Sequence, residues 1–354
     1  MNNATAVEHA GRIRQLDGLR ALAFLAVFTH HAVDAPLMWV GVDLFFVLSG
    51  FLITGILLHQ RGAKNFFAAF YYRRFLRIFP PYYLVLAITF AFFDPRWREH
   101  WYWYAFYISN IQDAFFDDGS SLLAPMWSLA VEEQFYLLWP VLVFLLGKKG
   151  MWRLSWILVL AAPIVRGVLT VTFDSYRPAY TLLPCRIDLL AAGALVAISR
   201  THNRVRFDAW AQHGLWFAVI GSFAFAVLVA MRPDFRTSQN SLLFNTAGYS
   251  LIAAIMVAVV GAVTAARKDG IVYRLLTTKA MLYFGSISYM MYLCHHLILI
   301  EIRDWLELPP LGSALLSLVV VTAVASASWV LLERPLMRHK DRVVVYRDHV
   351  SGRV

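Results

Sequence analysis

The apolar positions of this chain fall in long unbroken runs rather than in two-residue alternation or a one-faced helical stripe. Ten runs can be marked, near 17–34, 38–59, 76–93, 125–146, 152–173, 181–199, 212–231, 242–266, 281–301 and 312–333. A helix needs roughly 20 apolar residues to cross a bilayer, whereas a membrane barrel would show alternating strands of about 10 residues. The pattern predicts an all-α, polytopic membrane protein of about ten transmembrane helices. Composition agrees: of 354 residues, 60% are hydrophobic and 15% charged, against about 25% charged in a soluble domain. A large soluble domain and disorder are both excluded. One membrane domain should fill 1–354, with a short segment 1–16, a ten-helix core 17–333 and a basic tail 334–354.

The net charge of +10 is spread along the chain. With the N-terminus inside, twenty-four of the 32 Lys and Arg fall in segments on that side and six on the other. Arg166 and Arg186 lie within runs. Such asymmetry places both termini in the cytoplasm and the chain in the cytoplasmic membrane as a multi-pass protein. Dispersed charge argues against nucleic acid as a partner; membrane lipids are expected around the helices. The first run contains Arg20, His30 and His31 and reads as a retained span, not a cleavable leader. The two cysteines, Cys185 and Cys294, sit in apolar runs, so neither a disulfide framework nor a metal site is expected.

Ionisable groups at membrane depth are costly and point to function. In LDGLRALAFLAVFTHHA, Arg20 and His31 differ by only about 20° around a helix axis, and Asp17 shares their stripe, whereas His30 points about 80° away. Asp43 lies near the depth of His31 and could orient it or balance its charge, or else cap its own helix. FYYRRFLRIFPPYY carries Arg74 and Arg77 at i, i+3 on the cytoplasmic side, where forked guanidiniums suit phosphate or merely anchor the chain. In PMWSLAVEEQFYLLWP, Ser128, Glu132 and Tyr136 share a face in the outer half. Arg186 and Asp188 are about 200° apart and each should meet another helix. Tyr292 and His295 stand at i, i+3 in the ninth run. His31, Asp43, Glu132, Arg186, Asp188 and His295 are thus expected at one outer depth, with Arg20, Arg74 and Arg77 opposite them. The aromatic-rich stretch 94–125 could stack sugar rings or form an interfacial belt.

Seven segments in order resemble the acyltransferase-3 family of integral-membrane O-acyltransferases: LDGLRALAFLAVFTHH, GVDLFFVLSGFLITGILL, FYYRRFLRIFPPYY, MWSLAVEEQFYLLWP, CRIDLLAAGAL, SYMMYLCHH and LLERP. The family's R-x10-H pattern falls on Arg20 and His31, its R-x-x-R on Arg74 and Arg77, and its acidic position on Glu132. Its usual tryptophan before the ninth-span histidine is Cys294 here. No SGNH-type hydrolase domain, which some members append, is expected after Glu333.

The resemblance implies transfer of an acyl group, commonly acetyl from acetyl-CoA, onto a sugar hydroxyl of a surface or exported glycan or glycolipid. His31 would be the general base, with Asp43 and Glu132 as further catalytic residues. Arg20, Arg74 and Arg77 would hold the CoA phosphates. Arg186, Asp188, Tyr292, His295 and Trp127 are acceptor-site candidates. Acyl-CoA is then a co-substrate, with no permanently bound cofactor. Two rivals share some features: a transporter of an anionic or sugar-like substrate, and a haem protein using the pairs His30/His31 and His295/His296.

Overall fold

The computed structural model describes residues 13–93, 97–116, 119–232 and 239–343, with Phe235 and Tyr346. Nine long helices carry the architecture: α1 (Gln15–Val33), α2 (Gly41–Gln60), α3 (Phe66–Phe92), α4 (Met126–Thr172), α5 (Leu183–His202), α6 (Gly214–Met231), α7 (Tyr249–Ala265), α8 (Lys279–Trp305) and α9 (Pro310–Ser328). No strand occurs among the described residues. Eight helical stretches are long and apolar enough to cross a membrane. The helix α1 is not among them, because Asp17, Arg20, His30 and His31 dilute its apolar run. The 47 residues of α4 would reach about 70 Å as one straight helix, over twice the hydrocarbon thickness. A non-helical residue, Gly147 at φ +60°, divides it into 126–146 and 148–172.

The central helix is α5, in which every residue from Asp188 to Ile198 is buried. By contrast α6 buries only Gly214, Ala218 and Phe225, and turns Trp216 and Phe223 outward, as a lipid-facing helix does. Small residues set the closest approach. A methyl group at Gly50 would strike the Leu190 carbonyl, and one at Gly193 the Val47 carbonyl, which locks α2 against α5. A one-sided approach of the same kind joins α1 to α8: a methyl at Gly285 would strike the Asp17 carbonyl.

Two expectations change. The third apolar run is preceded by ten further helical residues, because α3 begins at Phe66. Arg73 and Arg74 therefore stand inside that helix with Arg77, and not ahead of it. The 94–125 stretch is also not an open loop. It contains two short helices, Trp97–Ala105 and Ser109–Phe115. The Tyr82 hydroxyl donates to the Tyr104 carbonyl at 2.8 Å, and Gln134 Nε2 donates to the Tyr107 carbonyl at 3.0 Å. Tyr104 and Tyr107 are thereby buried, while Trp101, Tyr102 and Phe106 remain exposed. Segments 1–12 and 347–354, parts of the expected N-terminal segment and basic tail, lie outside the described residues; 334–343 is helical.

Candidate active site

Three clusters of polar side chains lie among these helices. The first surrounds Glu132. Ser49 Oγ on α2 donates to Glu132 Oε1 at 2.6 Å. The Tyr136 hydroxyl, one turn along α4, lies 3.1 Å from Glu132 Oε2 and 3.0 Å from Ser49 Oγ. The Arg74 guanidinium sits 4.9 Å from the centre of the Tyr136 ring, a cation–π distance. These groups open on a cavity lined also by Arg20, Arg77, Ser128, Tyr289 and Tyr292. Arg20 also bonds Asp17 Oδ1 at 3.4 Å. Three guanidiniums and one carboxylate leave the lining electropositive, and guanidinium forks suit phosphate oxygens.

Glu132 thus shares a cavity with Arg20, Arg74 and Arg77 instead of facing them from the far side. The early start of α3 is the reason. Arg74 and Arg77 lie about two and three turns inside that helix, deep enough to meet a residue two turns into α4.

The second cluster is the histidines. His295 Nδ1 lies 2.7 Å from the Tyr292 carbonyl, and its Nε2 lies 3.2 Å from His31 Nδ1. His295 is fully buried, and His31 is half-buried. The His30 and His296 rings lie 5.1 and 4.8 Å from the His31 ring. A direct hydrogen bond between His31 and His295 leaves no space for an iron atom between those two nitrogens. Among the described residues no group of three His, Cys, Asp or Glu side chains is arranged to hold a metal. The Tyr292 hydroxyl is 2.6 Å from Ser128 Oγ on the cavity wall, and its ring centre is 5.5 Å from that of His295. His295 therefore packs behind the Tyr292 part of the cavity wall, with His31 beyond it, and neither histidine lines the cavity.

The third cluster is sealed. Asp43 on α2 forms an ion pair with Arg186 on α5, both at 0% exposure. The Arg186 guanidinium is walled by Tyr249, Tyr180, Phe46 and Trp127, at 4.8 to 6.0 Å from their ring centres. Beside it Arg166 bonds Asp188 Oδ2 at 2.8 Å, the Cys185 carbonyl at 2.5 Å and the Asn245 carbonyl at 2.6 Å.

Arg186 and Asp188 do each meet another helix, as their angular separation predicts. Asp43 does not orient His31, because its carboxylate is committed to Arg186. Arg186, Asp188 and Trp127, expected at an acceptor site, belong to this sealed cluster, whereas Tyr292 lines the cavity and His295 adjoins it. Arg166 is a polar residue within an apolar run, but nothing in the sequence names Asp188 as its partner. Ser49 is one small residue in an apolar run, and nothing in the sequence names Glu132 as its partner. Arg303 was legible only as one of few basic residues on the outer side. It donates from α8 to the carbonyls of His31 and Ala32, at 2.9 and 2.6 Å.

A family model described as an acyltransferase domain matches residues 13–333. The chain is 29% identical to the peptidoglycan O-acetyltransferase OatA of Listeria monocytogenes over 92% of its length and 56% of that protein's. It is 29% identical to the putative peptidoglycan O-acetyltransferase YrhL of Bacillus subtilis, over 93% and 55% of the two chains. It is 27% identical to the O-acetyltransferase OatA of Staphylococcus aureus, over 95% and 59%. The chain therefore spans somewhat more than half the length of these relatives. No solved structure matches it significantly.

Proposed function

The chain belongs to the acyltransferase family whose domain covers residues 13–333, and from this premise we propose that it is a cytoplasmic-membrane O-acetyltransferase acting on a cell-wall glycan. The acetyl donor is cytoplasmic acetyl-CoA, a co-substrate. Ten spans, with α1 counted and α4 divided at Gly147, put both termini in the cytoplasm; the excess of Lys and Arg on that side supports this. The observation that carries the reading is the cavity. It joins three arginines to Tyr292, whose ring packs against His295, the hydrogen-bond partner of His31. An extended donor with phosphates at Arg20, Arg74 and Arg77 would direct its thioester towards His31.

The chemistry follows from that placement. The acceptor hydroxyl attacks the thioester carbonyl, a C–O bond forms and the C–S bond breaks. His31 takes the hydroxyl proton and returns it to the leaving thiolate. Glu132, held by Ser49 and Tyr136, shapes the cavity between the arginines and the reaction centre. The relatives' printed activity on peptidoglycan supports a wall glycan as acceptor.

Membrane vesicles of defined orientation test this. With labelled acetyl-CoA and peptidoglycan fragments, transfer should require the donor on the cytoplasmic face. The double change Arg74→Ala and Arg77→Ala should raise the donor KM at unchanged abundance. Transfer with the donor on the outer face alone, or an unchanged KM in the double variant, would sink the assignment.

A further inference from the structure

The hydrogen bonds around His31 specify which of its ring nitrogens carries the proton. A carbonyl oxygen can only accept, so His295 Nδ1, at 2.7 Å from the Tyr292 carbonyl, must be protonated. His295 is fully buried beside His31 and His296, and among the described residues no carboxylate pairs with it. An unpaired buried charge is costly, so the ring is neutral and carries that one proton alone. Its Nε2 is then a pure acceptor. Among the described residues the one group bonded there is His31 Nδ1, at 3.2 Å, which must be the donor. His31, neutral in turn, then has its remaining lone pair on Nε2.

We propose that His295 is a positioning residue that holds His31 as the Nδ1–H tautomer, presenting Nε2 as the atom that accepts the acceptor's hydroxyl proton. When His31 takes up that proton it becomes imidazolium, and His295 Nε2 remains as acceptor for the Nδ1–H. The proton then leaves from Nε2 to the thiolate, so the relay ends with both rings as they began. A neutral imidazole here does what a buried carboxylate does behind the histidine of a hydrolase triad: it sets tautomer and orientation without taking the proton. It also avoids placing a second negative charge near the developing oxyanion.

The helices are built to hold this contact. The close approach of α1 and α8 at Gly285 fixes their separation towards the cytoplasmic end. Arg303 fixes the other end by bridging the His31 and Ala32 carbonyls, which as the last turn of α1 lack helical partners. Between these two clamps the rings meet without a freely rotating helix end.

The proposal rests on the reading of His31 as the base, so the test separates the two. Native protein and the variants His31→Ala, His295→Ala and His295→Gln are compared in vesicles at matched abundance. Labelled acetyl-CoA is the donor and peptidoglycan fragments the acceptor. Glutamine can put an amide oxygen near the position of His295 Nε2 and accept from His31 Nδ1–H. The expected result is a kcat loss of about 10²–10⁴-fold in His295→Ala with the donor KM unchanged, and recovery of at least tenfold of that loss in His295→Gln. Should His295→Ala fail to accumulate, His295→Gln decides alone: activity within about tenfold of native supports the proposal. Native kcat in His295→Ala, or His295→Gln no better than His295→Ala, overturns it while leaving His31 as the base. Native activity in His31→Ala overturns both.

Discussion

Arg186 and Arg74 are both guanidiniums inside the helical assembly, ringed by aromatics, and they do opposite things. Arg186 is fully buried, has Asp43 as its own carboxylate, and lies among four rings with no opening. Its neighbour Arg166 is likewise paired with Asp188. Arg74 lies over Tyr136 on the wall of an open cavity, beside Arg20 and Arg77, with only Glu132 as a carboxylate in the lining. One cluster is neutralised from within the chain; the other carries positive charge that an anionic ligand would neutralise. The comparison teaches that an arginine within a membrane domain is not assigned by its depth. Its assignment depends on whether the fold supplies its counterion.

The sharpest way to break the comparison is to remove one counterion from the sealed cluster. Asp43→Ala leaves Arg186 charged and buried, and loss of one partner of such a pair costs about 3–5 kcal/mol. The protein should fall in abundance and in thermal midpoint. The combined change Asp43→Leu and Arg186→Met should restore much of that loss, because an apolar pair needs no counterion. A folded Asp43→Ala variant with a native midpoint and no activity would instead place the pair in the reaction.

The cavity should behave oppositely. Arg74→Ala should leave the thermal midpoint in place and weaken acetyl-CoA binding, since a hydrogen bond to a charged group is worth about 1.5–3 kcal/mol. Arg74→Lys should fall between native and alanine, keeping the charge but losing the fork. Equal affinity for acetyl-CoA in all three proteins, read by equilibrium binding in detergent, would make Arg74 a membrane anchor.

The smallest effect belongs to Arg303, which is exposed and uses no counterion role at all. Arg303→Gln removes its bonds to the His31 and Ala32 carbonyls. A cation at a helix C-terminus contributes about 0.3–1 kcal/mol. The midpoint should drop slightly and the acetyl-transfer rate by a few-fold, with the donor KM unchanged. A change in KM alone would tie Arg303 to the donor site and not to the placement of His31.

Much of this protein was legible before folding was considered. The apolar runs announce the helices, because transfer of each side chain into hydrocarbon is a local property summed over about 20 neighbours. The stripe shared by Arg20 and His31 follows from helical pitch alone, and the face of Ser128, Glu132 and Tyr136 likewise. The helix start at Phe66 was less legible, since the basic residues ahead of the apolar run lower its hydropathy there. Partner choice could not be read at all. Asp43 and Arg186 lie 143 positions apart, and they meet because Gly50 and Gly193, each two turns further along, let α2 and α5 approach to backbone contact. His31 and His295 are 264 positions apart and meet through the equivalent approach of α1 and α8. Pitch sets the face a side chain occupies and hydropathy its depth. Which charge it meets there is decided only when small residues fix one helix against another, and that information is carried by no single segment of the chain.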